Sequence, residues 1–172
     1  MTDLTRLKNR LFAKAATAFP SFGKVLSASY SPAEEKEVPW TPVAKRLAES
    51  VVSIVTTAGV HLKDQKPFDM RDPDGDPSSR LIRGGVSAGD LMITHDYYDH
   101  RDADRDINIV FPLDRMRELE RPGIIGKFAD VHFGFMGHVV GRHIRTLTEE
   151  TAPEAAERLK SAGVDIVLLT PG

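Results

Sequence analysis

The chain has no cysteine among its 172 residues. It therefore carries no disulfide, no thiolate metal site and no thiol nucleophile of its own. Long apolar runs are missing as well, and none approaches the roughly 20 residues that a bilayer-spanning helix requires. A dominant charge is also lacking. Lys and Arg number 23 against 25 Asp and Glu, a formal net charge of -2, which gives no general attraction for nucleic acid or an anionic membrane. The first 22 residues, MTDLTRLKNRLFAKAATAFPSF, are charged throughout and lack the apolar centre of a signal peptide. They read as an ordinary first helix, and the cytoplasm is the default location.

What is present suits one α/β domain over residues 1–172. Residues 1–39 form an N-terminal helix and connector, and residues 40–172 form the body. Leu4, Leu7, Leu11 and Ala15 recur at helical spacing, with basic residues opposite them. SYSPAEEKEVPWTP (29–42) mixes prolines and charges and reads as an extended connector. VAKRLAES (43–50) predicts a short helix, and VVSIVTTAGV (51–60) a buried strand ending at Gly59. Residues 63–89 read as one long polar loop.

DLMITHD predicts a short strand and INIVFP (107–112) another. A helix over 113–120 is opened by Pro112 and stopped by Pro122 and Gly123. ADVHFGFMG (129–137) alternates as a strand does. TEETAPEAAERLKSAG predicts the strongest helix, capped by Thr148 or Thr151 and ended by Gly163. The strand VDIVLLTPG (164–172) follows at once. Strands separated by helices predict a three-layer α/β sandwich with a mostly parallel sheet. Strands around Val51, Met92, Ile109 and Val167 are expected side by side. The last of them lacks a covering helix, so the fold reads as incomplete at the C-terminus.

Three stretches carry chemistry-bearing residues. DPDGDPSSR sets carboxylates at Asp72, Asp74 and Asp76, as a calcium loop begins. The bidentate glutamate expected at loop position 12 is Arg83, so a solvated turn explains the stretch more simply. THDYYDHRDADRD gathers His95, Asp96, Asp99 and His100 just past an apolar strand. It approaches the H-x-H-x-D-H metal motif of metallo-β-lactamase-like hydrolases, with GHVVGRH supplying a later histidine, His138. Tyr97 stands where that motif has its second histidine. His61, His95, His132 and His138 all fall at or near strand ends, where an open parallel sheet places its ligand.

Longer strings are more specific. VVSIVTTAGVHLKDQKPFDMRDPDGDPSSRLI, DLMITHDYYDHRDADRDINIVFPLDRMREL, FGFMGH and EETAPEAAERLKSAGVDIVLLTPG resemble the selenoprotein B family. These are the selenium subunits of glycine, sarcosine and betaine reductases and of D-proline reductase. The resemblance runs over residues 40–172. In that family TPG is followed directly by selenocysteine, or by cysteine in some members. The resemblance therefore implies a nucleophile immediately after Gly172, and a reading frame that stops there when UGA is not decoded. It also implies a partner subunit bearing a pyruvoyl group, a small amino-acid-derived substrate and reductive cleavage of a C–N bond.

Residue type and strand-end position make His95, His100 and His138 candidates to protonate the leaving nitrogen. Asp96 and Asp99 are candidates to orient them. His61, Thr170, Pro171 and Gly172 are candidate substrate-side residues, and a homo-oligomer is expected. Two other readings stand beside this one. The first is a metal-dependent hydrolase centred on His95, Asp99, His100 and His138. The second is a non-catalytic paralogue.

Overall fold

A computed structural model describes residues 2–19, 21 and 41–172. The connector expected over 29–42 lies almost wholly outside these described residues. The order of elements is α1 (Thr2–Ala18), β1 (Val51–Thr56), β2 (Val60–Leu62), β3 (Arg80–Arg83), β4 (Leu91–Ile93), α2 (Leu113–Glu120), β5 (Lys127–Phe128), β6 (Val131–Gly134), α3 (His143–Thr146), α4 (Ala152–Ser161) and β7 (Ile166–Thr170).

The main sheet is mixed and mostly parallel. β1, rich in the β-branched residues that suit a pleated buried strand, is its centre. β7 runs parallel along one side of β1, from Val52 opposite Ile166 to Thr56 opposite Thr170. β5 and β6 run parallel along the other side, and β3 adds antiparallel to β6. Period-2 alternation divides β1 between two cores. Val52 and Ile54 pack with Phe111, Leu113 and Met116 on the α2 side, and Val55 packs with Phe133, Phe135, Ala155 and Leu159 on the α4 side. This is the expected helix–sheet–helix layering.

Several elements differ from the sequence expectation. Residues around Ile109 form a 3-10 turn (Ile107–Ile109) rather than a strand, because Asp106 caps it by accepting from the Asn108 amide. The Asn108 side chain then bonds both Asp106 and Asp114, a local polar network that competes with ladder pairing. β4 does not join the main sheet. Gly59, at φ +73°, turns the chain out of the sheet after β1, and β2 pairs antiparallel with β4 instead. Residues 43–50 form only a 3-10 turn at Leu47–Glu49. The long loop contains β3, whose Ile82 is fully buried.

The helix expected from Thr148 starts earlier, at His143, and passes through a π turn (Leu147–Thr151) into α4. Thr148 and Thr151 therefore sit inside it. Their hydroxyls donate to the Ile144 and Pro77 carbonyls and cap nothing. Gly163, at φ +73°, ends the helix as expected.

Two apolar surfaces remain open. In β7, Val167, Leu168 and Leu169 are exposed, Leu169 by 72%, and among the described residues β7 pairs only with β1. In α1 the amphipathic pattern is inverted, since Leu4, Leu7 and Leu11 face outward. Ala13 is buried, and Arg6 and Arg10 on the same side of the helix reach a buried carboxylate.

Candidate functional site

Three strand ends meet on one side of the main sheet. β1 ends at Thr56 and continues as Thr57, Ala58 and Gly59. β6 runs on through Phe135 and Met136 to Gly137, and β7 through Pro171 to Gly172. The Thr57 amide donates to the Thr170 carbonyl at 3.0 Å, and the Gly59 amide to the Phe135 carbonyl at 2.9 Å. The approach is close enough that a Cβ on Gly172 would lie 2.2 Å from Ala58 Cα. Such a Cβ cannot be accommodated without moving backbone. Just past β4, the Thr94 amide donates to the Gly59 carbonyl at 2.9 Å, and this brings His95 to the same place.

His95 is buried and both of its ring nitrogens face backbone donors. The Tyr97 amide lies 3.1 Å from Nδ1 and the Gly137 amide 3.3 Å from Nε2. A neutral imidazole has one unprotonated nitrogen and accepts from one of these two amides, whereas a charged ring accepts from neither. Burial, reinforced by His100 and His138, lowers the His95 pKa to about 4. At neutral pH this ring is an acceptor and not a reservoir of protons. Tyr97 and Tyr98 pack edge-on against it, and the Tyr98 hydroxyl donates to the Ala58 carbonyl at 3.1 Å.

His138 lies on the far side of Tyr97, stacked at 3.8 Å between centroids, and its Nε2 bonds the Pro73 carbonyl at 2.9 Å. His100 stands beyond Tyr98, with Nδ1 2.8 Å from an Asp104 carboxylate oxygen. His95, His138 and His100 thus form one aromatic cluster with the two tyrosines.

The carboxylates are engaged elsewhere. Asp96 is fully buried and accepts from Arg6 Nε at 2.5 Å and Arg10 Nε at 2.7 Å. Burial alone would raise its pKa, but the two guanidinium bonds outweigh burial and hold it low. Asp99 is held by Arg101 through both oxygens, at 2.9 and 2.6 Å, and this too lowers its pKa. Neither carboxylate orients a histidine among the described contacts. His61 is deep in the body, with Nδ1 at the Leu62 carbonyl and Nε2 at the Thr94 hydroxyl, 2.7 and 2.8 Å away. Among the described residues no group of three or more His, Asp or Glu is placed to hold a metal ion.

Sequence reasoning missed residues whose roles depend on distant partners. The carbonyl of Val110 accepts from the hydroxyls of both Thr56 (3.0 Å) and Thr170 (2.6 Å), and so ties the ends of β1 and β7 together. The acidic turn is also spent on pairing. Asp72 bonds Arg142 and His143, Asp74 pairs with Arg142 at 3.3 Å, and Asp76 accepts from Ser78 and Arg80. The bond from His143 is the main cause of a lowered Asp72 pKa. The turn is a clasp on the chain leading into α3.

Comparison with known proteins bears on the family. The model of glycine/sarcosine/betaine reductase selenoprotein B matches residues 23–172. The chain is 47% identical over 133 residues to the D-proline reductase subunit gamma of Acetoanaerobium sticklandii, covering 77% of this chain and 53% of that protein. It is 32% identical over 157 residues to the glycine reductase complex component B subunit gamma of Symbiobacterium thermophilum, covering 86% and 34%. A third relative is the sarcosine reductase complex component B subunit beta of Peptoclostridium acidaminophilum, 37% identical over 102 residues, covering 54% and 22%.

The chain belongs to the selenoprotein B family. Its matched region spans about half the length of the D-proline reductase relative and a smaller part of the others. No solved structure matches it. These selenoprotein B relatives are subunits of reductases, several of them named as complex components. Among the described residues no helix is long and apolar enough to cross a membrane.

Proposed function

We propose that this chain is the portion of a glycine/D-proline-type reductase subunit that presents a selenol or thiol at the end of β7, for reductive C–N cleavage. The likeness to the D-proline reductase subunit carries the reading. Its 47% identity, against 32% for the glycine reductase component, favours D-proline or a similar cyclic amino acid as substrate. In this reading the nucleophile follows Gly172 directly, as selenocysteine or cysteine, and the family resemblance supports that position. The surroundings suit it: the strand end is anchored by Thr170, and a histidine and two tyrosines stand across Gly137.

In this reading the nucleophile attacks carbon, a Se–C or S–C bond forms, and the C–N bond breaks. Nitrogen leaves with the bonding pair and takes a proton, and a dithiol supplies the two electrons that later release the product. A pyruvoyl group on a partner subunit supplies the electrophilic carbonyl that holds the amino substrate. His95, neutral and buried, lines the site beside the nucleophile and is not its base. His100, held by Asp104, and His138 are the candidates to protonate the leaving nitrogen. Association with a partner subunit is part of this reading, since several relatives are named as complex components.

Reconstitution tests this. The subunit, carrying selenocysteine or cysteine after Gly172, is mixed with a pyruvoyl subunit, a dithiol and D-proline, glycine or betaine. Ring-opened amino acid, ammonia or trimethylamine is then measured. Release of any one supports the reading, and D-proline is expected to be the best substrate. No release from any of the three rejects it.

A further inference from the structure

The Asp96 side chain is only 1% exposed, yet it lies just beneath the surface, because the two side chains bonded to it, Arg6 and Arg10, are 36% and 54% exposed. Among the described residues its side-chain hydrogen bonds come from these two guanidiniums, both on α1. A buried charge is not tolerated unpaired, so the body of the protein carries a carboxylate that α1 neutralises. That helix is attached by polar contacts. Among its described residues only Ala13 is buried, and none joins the hydrophobic clusters of the body. The Asn9 side chain hydrogen-bonds Tyr97, and Lys14 acts electrostatically on Asp99. α1 also precedes residues 23–172, the region that matches the family, whereas Asp96 and Tyr97 lie within it.

From this arrangement we propose that Asp96 is a seat for an organic cation, a guanidinium or an alkylammonium that donates N–H, and that α1 is its built-in occupant. Nε of Arg6 and Nε of Arg10 donate to different oxygens of the carboxylate, at 2.5 and 2.7 Å. A single guanidinium, or two hydrogens of one amine, reproduces that pair of charge-assisted bonds. Lifting α1 uncovers little apolar surface of its own, since Leu4, Leu7 and Leu11 already face solvent. A cation that takes the seat therefore releases the helix as a strap. Release uncovers Tyr97, which packs edge-on against His95, and so opens the histidine–tyrosine cluster from this side. The inference does not depend on the nucleophile or the reaction proposed above.

The test uses the full chain, the double variant Arg6→Gln/Arg10→Gln, and methylguanidinium chloride as probe. Tetramethylammonium chloride at the same tens-of-millimolar concentration is the control, because it has charge but no N–H. In the double variant α1 amides should exchange at least tenfold faster than in the parent, while amides of β1 and β6 change less than about twofold. Methylguanidinium should raise the melting temperature of the double variant by about 2 °C or more, and tetramethylammonium should not. Adding Asp96→Asn should abolish the rise. Arg10→Gln alone, which leaves Arg6 in place, should show smaller changes in the same direction and serves if the double variant folds poorly. Unchanged exchange in α1, or equal loosening of β1 and β6, overturns the strap. An equal response to both salts, no response to either, or a rise that survives Asp96→Asn overturns the seat.

Discussion

The Thr170 hydroxyl donates to the Val110 carbonyl at 2.6 Å, and Thr56, its neighbour across the β1–β7 pair, donates to the same oxygen at 3.0 Å. One carbonyl in the loop before α2 thus fixes the last turn of two strands. Thr170 is also held through its own carbonyl by the Thr57 amide. Two constraints on a single residue set the direction in which the chain leaves β7.

Thr170→Val removes one of them without changing shape. A hydrogen bond of this kind contributes roughly 1 kcal/mol, so stability should fall by about that amount in urea unfolding. Turnover in the reconstituted reductase should fall by about tenfold or more with KM little changed, because misplacing a reacting atom by about 1 Å is costly. Thr170→Ser keeps the donor and should retain most of the turnover. Equal activity in the valine variant removes the positioning role.

Acid stability should follow the buried histidines. Burial lowers the pKa of His132 to about 4, as it does for His95. Below the ordinary value near 6.5 the unfolded chain binds protons that the folded chain refuses. Stability is therefore full above pH 6.5, falls as pH drops toward 4 and levels off below it. For His132 the loss across that window is on the order of 3 kcal/mol. Its Nδ1 accepts from the Ile54 amide at 3.1 Å, so His132→Asn supplies an acceptor that does not titrate. The difference between urea midpoints at pH 7.5 and 4.5 should shrink in that variant to the part that His95 carries. An unchanged pH slope contradicts the assignment.

The N-terminal helix should depend on a carboxylate 86 and 90 residues away. Asp96→Asn removes the charge that Arg6 and Arg10 share, and protection of α1 amides from hydrogen exchange should drop at least tenfold, about 1.4 kcal/mol of local stability. Full protection in the variant shows that α1 is held by something else.

This last contact marks what could be read from the sequence. β1, β7, α2 and the run into α4 follow from apolar periodicity, from Pro112, and from Gly163 as a stop. The antiparallel excursion through β2 and β4 does not, because it turns on a positive φ at Gly59 that the residue type permits but does not require. INIVFP has strand composition, yet Asp106 and Asn108 fold it into a turn through bonds visible only in three dimensions. The candidate site was legible as a set of strand ends, and His95 does lie beside Gly137 and Gly172. The expected pairing of Asp96 and Asp99 with histidines was not found: arginines from α1 and from the same loop hold those carboxylates. Thr56 and Val110 gave no signal, since their importance lies in what they face.

The central claim is that the residue following Gly172 becomes covalently joined to substrate carbon during turnover. Mass spectrometry of the subunit, quenched while it turns over D-proline with its partner and a dithiol, tests this most directly. The account predicts a substrate-derived mass on the selenocysteine or cysteine directly after Gly172, lost when that residue is replaced by alanine together with all turnover. Turnover that persists in the alanine variant, or in residues 1–172 alone, contradicts it.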